Sequence, residues 1–208
     1  MPGGVLQEAL QKLGDSGLYG TASDFRKWLR FKEGIDIEEE NVRETLDGLL
    51  LAGRFERHND YPDDYVSTHM ARLPDSYSFR CPRDLSDSPI QFFRSLLLVF
   101  LRQKGIPPEE EVDIVIASVE AIENAVKYSS SGDIVVRFDF VPGEFRLEVI
   151  NDVKPAEPDH DIEVGKYDSS RTLMRGMMVM SRLFDEMDIG IDESVSRATF
   201  RARKMVRS

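Results

Sequence analysis

The 208-residue sequence has a single cysteine, no long apolar run and no secretion signal, and each of these absences excludes a class of structure or location. A single cysteine, Cys81, excludes an internal disulfide, and no cysteine and histidine cluster has metal-site spacing. No apolar run approaches the roughly 20 residues of a membrane-spanning helix. The first ten residues, MPGGVLQEAL, lack the basic start and apolar core of a secretion signal. We therefore expect a cytoplasmic protein with no membrane association.

Positive charge is also scarce, because the formal net charge at pH 7 is −11. Non-specific nucleic-acid binding depends on lysine and arginine neutralising phosphates, so this charge disfavours it without excluding a local basic face. What is present is a hydrophobic fraction of 41% and a charged fraction of 31%, which suit a globular chain that buries a core. The length fits one large domain or two small ones.

The N-terminal third predicts three helices and a small hairpin. Apolar residues recur there at helical spacing, and N-cap types or acidic residues stand at the expected helix starts. The predicted helices are 5–13, a second from Thr21 or Ser23, and a third from about Glu38 to Gly53. A strand pair around Arg54–Arg57 and Tyr65–Thr68 follows. This order is that of a winged helix-turn-helix, and NVRETLDGLLLAGRFER resembles the recognition helix and wing entry of that family.

The charge of the third helix bears on its partner. Residues 38–47 carry five acids and one arginine. A recognition helix in a DNA major groove faces phosphates, which would repel these acids. Docking to a protein, or dimerisation, is therefore favoured over DNA binding, and a winged-helix transcription regulator is the alternative.

A proline-marked joint separates this module from the rest of the chain. Pro74, Pro82 and Pro89 lie within it among serine and aspartate residues, and Ser76–Arg80 reads as a strand at a sheet edge. We therefore predict a winged helix-like domain at 1–72, a linker with a first strand at 73–89, and a second domain at 90–208.

The C-terminal half predicts an α/β sandwich. Its patterns give helices at 92–104 and about 109–129, then two alternating strands joined at Pro142–Gly143. A long polar loop, a helix at about 172–186 and two last strands at 187–191 and 197–205 complete the set. The whole chain is then of the α+β class, with a mixed, largely antiparallel sheet that carries helices on one face.

Glu120 and Asn124 are the first candidate site residues. They stand four apart, so they project from one flank of the long predicted helix. An asparagine oxygen suits Mg²⁺ when phosphates supply the charged ligands. A carboxylate one turn earlier can orient or deprotonate a water or a serine hydroxyl. The alternative is a surface pair on an amphipathic helix.

Two sequence blocks carry a family resemblance. VEAIENAVKYSSSGDIVVRF resembles the N-box region of the Bergerat-fold (GHKL) ATPases, and LMRGMMVMSRLFDEMDI resembles the glycine-rich helix entry of their anti-sigma-factor serine kinases. The resemblance covers about residues 76–205. It implies a histidine kinase-like ATPase domain that takes ATP and Mg²⁺, with Asn124 as the magnesium ligand and Glu120 as the catalytic base.

The resemblance implies further nucleotide contacts. The predicted set is Lys127, Asn151, Asp152, Arg175, Gly176 and Thr199. Arg175 and Gly176 stand at the start of the last helix, where backbone N–H groups can receive phosphate oxygens. Asn151 or Asp152 would contact adenine. The methionines around Gly176 are interpreted as core packing.

The sequence also departs from the family pattern. The run from Asn151 to Pro155 has no glycine, where the family usually has Asp-x-Gly-x-Gly. Met174 replaces the first glycine of a Gly-Arg-Gly run, Ala198 replaces the glycine of a Gly-Thr pair, and Tyr128 stands where a histidine is usual. Glu120 and Asn124 themselves are unchanged.

Three functions follow as hypotheses. The leading one is a regulatory ATP-binding protein similar to the anti-sigma-factor kinases, which bind a sigma factor and phosphorylate a serine on an antagonist protein. The missing glycines motivate the second, a pseudo-ATPase that serves as a protein-interaction module. The third is a winged-helix transcription regulator. Kinases of this family commonly pair, so a homodimer is also an expectation.

Overall fold

The computed structural model describes residues 3–81, 89–130, 132–153 and 176–206. Its contacts divide the chain into two compact units. The first comprises Met1–Pro74 with Gln91–Gln103, and the second comprises Asp75–Ile90 with Lys104–Ser208. A helix from the middle of the chain therefore counts with the first unit. The domain limits 1–72, 73–89 and 90–208 stay a prediction.

The first unit contains helices and a two-stranded sheet. Its elements are α1 (Gly3–Asp15), α2 (Ala22–Trp28), a π-helical turn (Leu29–Glu33), α3 (Glu39–Leu51), β1 (Phe55–Arg57), β2 (Tyr65–Ser67) and α4 (Pro89–Gln103). Strands β1 and β2 pair antiparallel. Three helices and then a hairpin is the order that the sequence predicts, and the winged-helix assignment itself stays a prediction.

Helix α2 begins at a capping box. Thr21 accepts a hydrogen bond from the backbone N–H of Asp24, and the Asp24 side chain accepts one from the Thr21 N–H. This start directs Phe25 and Trp28 into the core, where both are fully buried. The Phe25 ring lies 5.1 Å from that of Trp28 and 5.8 Å from that of Phe55, each in an edge-on arrangement.

Helix α4 completes the first unit through polar contacts as well as apolar ones. The Ser95 hydroxyl donates to Asp24 over 2.6 Å. The Gln103 amide donates to the Gly17 carbonyl over 2.7 Å and accepts from the Leu73 N–H over 2.8 Å. Hydrogen bonds that span such sequence distances are specific to one docking position of the helix.

The second unit is built on a five-stranded sheet in the order β3-β4-β5-β7-β6. Its strands are β3 (Ser76–Cys81), β4 (Ile134–Val141), β5 (Glu144–Asp152), β6 (Glu186–Asp192) and β7 (Arg197–Met205). The sequence predicts a mixed, largely antiparallel sheet, and all four pairs among the described strands are antiparallel. The predicted α+β class is confirmed.

Two helices accompany this sheet in the described residues. Helix α5 is Pro108–Tyr128, and residues 176–183, named α6, are helical. The predicted extension of α6 to about residue 186 is wrong, because β6 begins at Glu186. Among the described helices, none is long and apolar enough to cross a membrane.

Alternation along β5 gives the sheet two different faces. Phe145, Leu147, Val149 and Asn151 are buried, whereas the residues between them are more exposed. Because α5 contacts β5 and β4, the buried side is the face that this helix covers. The other face is called the open face below, and it carries mainly charged side chains.

Candidate functional site

Helix α5 presents the first candidate residues together. Pro108 stands at its first turn beside three glutamates, which suit the positive end of a helix dipole. At about 100° per residue, Glu120, Asn124 and Lys127 fall within about 60° of one another around the helix axis. The sequence spacing therefore becomes one flank of a single regular helix.

Gly176 lies against this flank. A Cβ atom at position 176 would be 2.5 Å from Oε1 of Glu120 and 2.9 Å from Nδ2 of Asn124. Both distances are shorter than real Cβ contacts, so glycine lets the backbone approach without displacing the ends of Glu120 and Asn124. Residues that are more than 50 positions apart in the chain thus meet at one point.

The Asn124 amide has an unused hydrogen-bonding atom. Its Nδ2 is buried and has no hydrogen-bond partner among the described residues. A half-turn of the amide would bring the oxygen to the same place, so either a donor or an acceptor can face it. Unpaired buried polar atoms are costly, and one beside a glycine-lined approach indicates a ligand position.

Negative charge accumulates on the same helix. Burial raises the pKa of the Glu123 carboxyl, and the nearby charge of Glu120 raises it further. Lys127 is exposed, with Nζ 5.3 Å from the centre of the Tyr128 ring. A cation bound beside Glu120 would relieve the repulsion between these two glutamates.

The end of β5 lies next to the end of α5. The Ser130 N–H donates to the Asp152 carbonyl over 2.8 Å, and Ser129 forms a β-bridge with Val153. Ser129 follows Asn124 by five residues, which is about 8 Å along a helix axis. Asn151 is buried on the helix-covered face, and its amide donates to the Asp152 carbonyl over 3.3 Å.

Asp152 and Thr199 lie on the open face instead. Thr199 pairs with Ile150, and Asp152 pairs with Arg197, whose Nε is 3.7 Å from the Asp152 carboxylate. Strand alternation therefore separates these two side chains from that of Asn151. Arg175 lies outside the described residues, as do Met174 and Pro155.

The side chains around Asn124 can be compared with the ligands that a magnesium ion bound to ATP needs. In the described part of the chain, no group of three or more histidine, cysteine, aspartate or glutamate side chains could hold a metal ion. A magnesium ion that keeps its waters and takes substrate phosphates needs only one or two protein oxygens. The oxygens that the Asn124 amide and the Glu120 carboxylate can offer therefore fit a Mg·nucleotide group.

Sequence reasoning missed two features of this site. The Ser129–Val153 bridge ties the predicted adenine-contact segment to the end of α5, and the Val153 N–H also donates to the Ser196 carbonyl over 2.8 Å. The β-branched Val153 was the available signal for such strand pairing. The contact of Gly176 with Glu120 and Asn124 has no local sequence signal, because it joins distant segments.

Comparison with known proteins gives one family. Residues 89–201, more than half of the chain, match the family model described as histidine kinase-like ATPase domain. No curated protein matches the sequence.

Two solved structures align with most of this chain. One is that of the RsbU and RsbW domains of Rv1364c from Mycobacterium tuberculosis, with 20% identity and a TM-score of 0.49. It aligns with 81% of this chain, which spans only 42% of that chain. The other is the SiaB–SiaC complex from Pseudomonas aeruginosa, with 16% identity, a TM-score of 0.45, and coverage of 82% and 99%.

Proposed function

This chain belongs to the histidine kinase-like ATPase domain family, and on that premise we propose that it is a regulatory ATP-binding protein that acts on protein partners. One observation carries the proposal. Glu120, Asn124 and Gly176 meet around an unpartnered amide, at the place where the family resemblance expects magnesium and phosphates. The net charge of −11 supports protein partners over nucleic acid.

Each of the three residues has a role in this proposal. Asn124 would hold the magnesium ion through its amide oxygen, and Glu120 would orient a nucleophile beside it. Gly176 would keep the backbone close enough for its N–H to serve a phosphate. When bound, the magnesium ion would supply positive charge to the nucleotide phosphates.

Calorimetry with Mg·ATP tests the binding step. We expect saturable heat from the full chain, and we expect Asn124→Ala to weaken the affinity at least about 100-fold, because a charged ligand loses its anchoring group. Asn41→Ala is the matched control, because Asn41 is exposed on α3. Absence of heat at millimolar Mg·ATP, or equal affinity of the Asn124→Ala variant, would exclude this site.

The finer proposal is serine kinase activity of the anti-sigma-factor type. A serine hydroxyl of an antagonist protein would attack the γ-phosphorus, ADP would leave, and Glu120 would take the hydroxyl proton. We expect Glu120→Gln to retain ATP binding and to lower slow ATP hydrolysis by water about 100-fold or more. Glu109→Gln, at the exposed start of α5, should hydrolyse ATP as the native protein does. Equal rates of ATP hydrolysis for the Glu120→Gln and Glu109→Gln variants would show that Glu120 takes no part in the reaction.

A pseudo-ATPase interaction module is the second candidate. The segment around Asn151 to Val153 lacks glycine and is paired on both sides, with Ser129 and with Ser196. A segment held in this way has less freedom to follow an adenine ring. This candidate predicts partner capture whose yield is the same with and without ATP, and strong nucleotide dependence would count against it.

DNA binding by the first unit has less support. The one arginine of α3, Arg43, is 2.6 Å from Glu39, and Glu40 beside it is 75% exposed. A mobility shift that weakens steeply with added salt would restore this function. The homodimer remains a proposal from the family resemblance, and sedimentation equilibrium measures it directly.

A further inference from the structure

Strand β6 is an edge of the sheet in the second unit. It pairs with β7 on one side, and within residues 3–81, 89–130, 132–153 and 176–206 no strand pairs with its other side. A seven-residue edge exposes a row of backbone donors and acceptors to any extended chain. Which residues supply this row can be worked out from the registers.

The registers determine the direction of each backbone group. The Val153 N–H donates to the Ser196 carbonyl, and this pair continues the β5–β7 register, so Ala198, Phe200 and Ala202 share hydrogen bonds with β5. The backbone N–H and C=O groups of the residues between them in β7 therefore point toward β6. Their partners in β6 are Glu186, Asp188, Gly190 and Asp192. The N–H and C=O groups of Met187, Ile189 and Ile191 consequently point away from the sheet.

The side chains of β6 form two rows of different chemistry. On the helix-covered face, Ile189 is 48% exposed and Ile191 is 64% exposed, which is high for β-branched apolar side chains in a strand. The open-face row is acidic and consists of Glu186, Asp188 and Asp192. An incoming strand would therefore meet apolar groups on one face and negative charge on the other.

The central acid of this row is not neutralised by the sheet. Arg201 lies opposite Asp188 in β7, but its Nε donates to Glu148 over 3.0 Å. No ion pair of Asp188 occurs in the described part of the chain. By contrast, Glu186 pairs with Arg203. Asp192 accepts hydrogen bonds from Ser194 and likewise has no ion pair among the described residues, so the surplus negative charge of the edge lies on Asp188 and Asp192.

We propose that the outer edge of β6 receives an extended segment of a partner protein in which basic and apolar residues alternate. Main-chain hydrogen bonds to Met187, Ile189 and Ile191 would give affinity, and the two side-chain rows would set the alternation. A second copy of this chain fits less well. Antiparallel self-pairing centred on Ile189 would place Glu186 opposite Asp192, and like charges that face each other across strands are destabilising.

Amide hydrogen exchange on the full chain tests the edge directly. The probe is an eight-residue peptide that alternates lysine with valine, and the control peptide alternates glutamate with valine. We expect the lysine peptide to slow exchange of the Met187, Ile189 and Ile191 amides at least about threefold, while the ladder amides of Asp188 and Gly190 stay slow throughout. Unchanged exchange at saturating peptide, or equal protection by both peptides, would overturn the proposal.

Two variants separate charge from backbone pairing. Asp188→Lys should weaken binding of the lysine peptide roughly three- to tenfold, whereas Asp133→Lys, an exposed acid before β4, should not change it. Ile189→Pro removes an outward N–H and leaves the β6–β7 ladder intact, so it should abolish protection of the edge. Equal binding by native protein and Asp188→Lys would contradict the assigned chemistry.

The result is independent of ATP binding. Asn124→Ala should bind the lysine peptide as the native protein does, so failure at the edge and failure of the nucleotide site can be told apart. Protection of the same amides without peptide, increasing with protein concentration, would show pairing of β6 with a second copy and would overturn the choice of partner.

Discussion

Asp24 in the first unit and Asn124 in the second are both half-buried polar residues on helices, and they differ in what surrounds them. Asp24 accepts hydrogen bonds from Ser95, from the hydroxyl and N–H of Thr21, and from Lys27. Asn124 has a buried Nδ2 without a partner among the described residues. A group whose bonds are completed by its own fold stabilises that fold, whereas a group left incomplete has capacity for a ligand.

Two helical glycines differ in a parallel way. Gly48 in α3 has no atom within 4 Å of the place where a Cβ would stand. At Gly176 that place is filled by Glu120 and Asn124. Alanine would fit freely at position 48, whereas at position 176 it would have to displace the ends of two side chains. Both contrasts support the proposed ligand site in the second unit.

Replacing Asp24 or Asn124 with alanine should give the largest effects, the first on the free energy of unfolding and the second on ATP affinity. Asp24→Ala removes the capping box and the contact with Ser95, so we expect the free energy of unfolding to fall by about 2–3 kcal/mol. Asn124→Ala removes no hydrogen bond seen among the described residues, so it should change the free energy of unfolding by less than about 0.5 kcal/mol, while ATP affinity is lost. Urea denaturation measures the first quantity, and calorimetry measures the second.

Asp36→Ala is the control for this pair, because Asp36 is an acid of the first unit whose side chain is 63% exposed. The Asp36→Ala variant should change neither the free energy of unfolding nor the ATP affinity appreciably. If Asn124→Ala destabilised the fold as strongly as Asp24→Ala, the contrast between a structural and a ligand-directed residue would be lost.

The two glycines should respond oppositely to alanine. Gly48→Ala should stabilise the protein by about 0.5–1 kcal/mol, because alanine is the better helix former and has free space there. Gly176→Ala should displace the flexible ends of Glu120 and Asn124 and weaken ATP binding at least about tenfold. Thermal unfolding with and without Mg·ATP reports both changes. A ligand-induced stabilisation of Gly176→Ala equal to that of the native protein would be the contrary outcome.

The pH dependence of stability should contain a contribution from Asp24. Burial raises the pKa of its carboxyl, but hydrogen bonds from Ser95 and Thr21 and the charge of Lys27 outweigh burial and keep it below the ordinary 3.8. A lowered folded-state pKa means that the stabilisation is present above 3.8 and is lost as the pH falls through the folded value.

Asp24→Asn should therefore lose stability less steeply than the native protein between about pH 5 and about pH 3. The contribution of Asp64 to the pH dependence of stability has the opposite sign, because burial raises the pKa of its carboxyl despite the nearby charge of Arg102. The charge of Asp24 is one of the causes that raise the pKa of Asp64, so native Asp24 and Asp24→Asn are compared in an Asp64→Asn background. Parallel stability curves for the two proteins would show that the Asp24 bonds do not favour its charged form.

The smallest effect concerns charge in the second unit. Glu120→Gln should lower the pKa of the Glu123 carboxyl toward 4.5, because it removes the second of the two causes that raise it and leaves burial in place. Titration followed by carboxyl-carbon NMR measures the shift. Asp113→Asn is the control, because it lies two to three helical turns away. An unchanged pKa of the Glu123 carboxyl in the Glu120→Gln variant would mean that the two carboxylates do not interact.

Periodicity predicted most of the second unit. The strands at 187–191 and 197–205, and the hairpin around Pro142–Gly143, lie within one or two residues of their positions in the structure. Alternation is decisive there because one sheet face is buried and the other is not. The histidine kinase-like ATPase family expected from the two sequence blocks is confirmed.

Long-range contacts account for what the sequence could not predict. Gln91–Gln103 belongs to the first unit, and its long-range hydrogen bonds there come from Ser95 and Gln103, two ordinary polar residues in an apolar helix. The π-helical turn at Leu29–Glu33 carries no pattern that distinguishes it from a continued α-helix. The approach of Gly176 to Glu120 joins two helices that periodicity treats separately.

Helix α4 has a consequence for how the protein is made. The first unit takes its last helix from residues 91–103, after the chain has already passed through strand β3 of the second unit. During synthesis, the hydrogen bonds of Ser95 and Gln103 cannot form until about a hundred residues have been translated. Domains usually fold in order from the N-terminus as they emerge. Here the N-terminal unit lacks its last helix until residues 91–103 have been made, so part of its apolar surface stays uncovered for longer during synthesis.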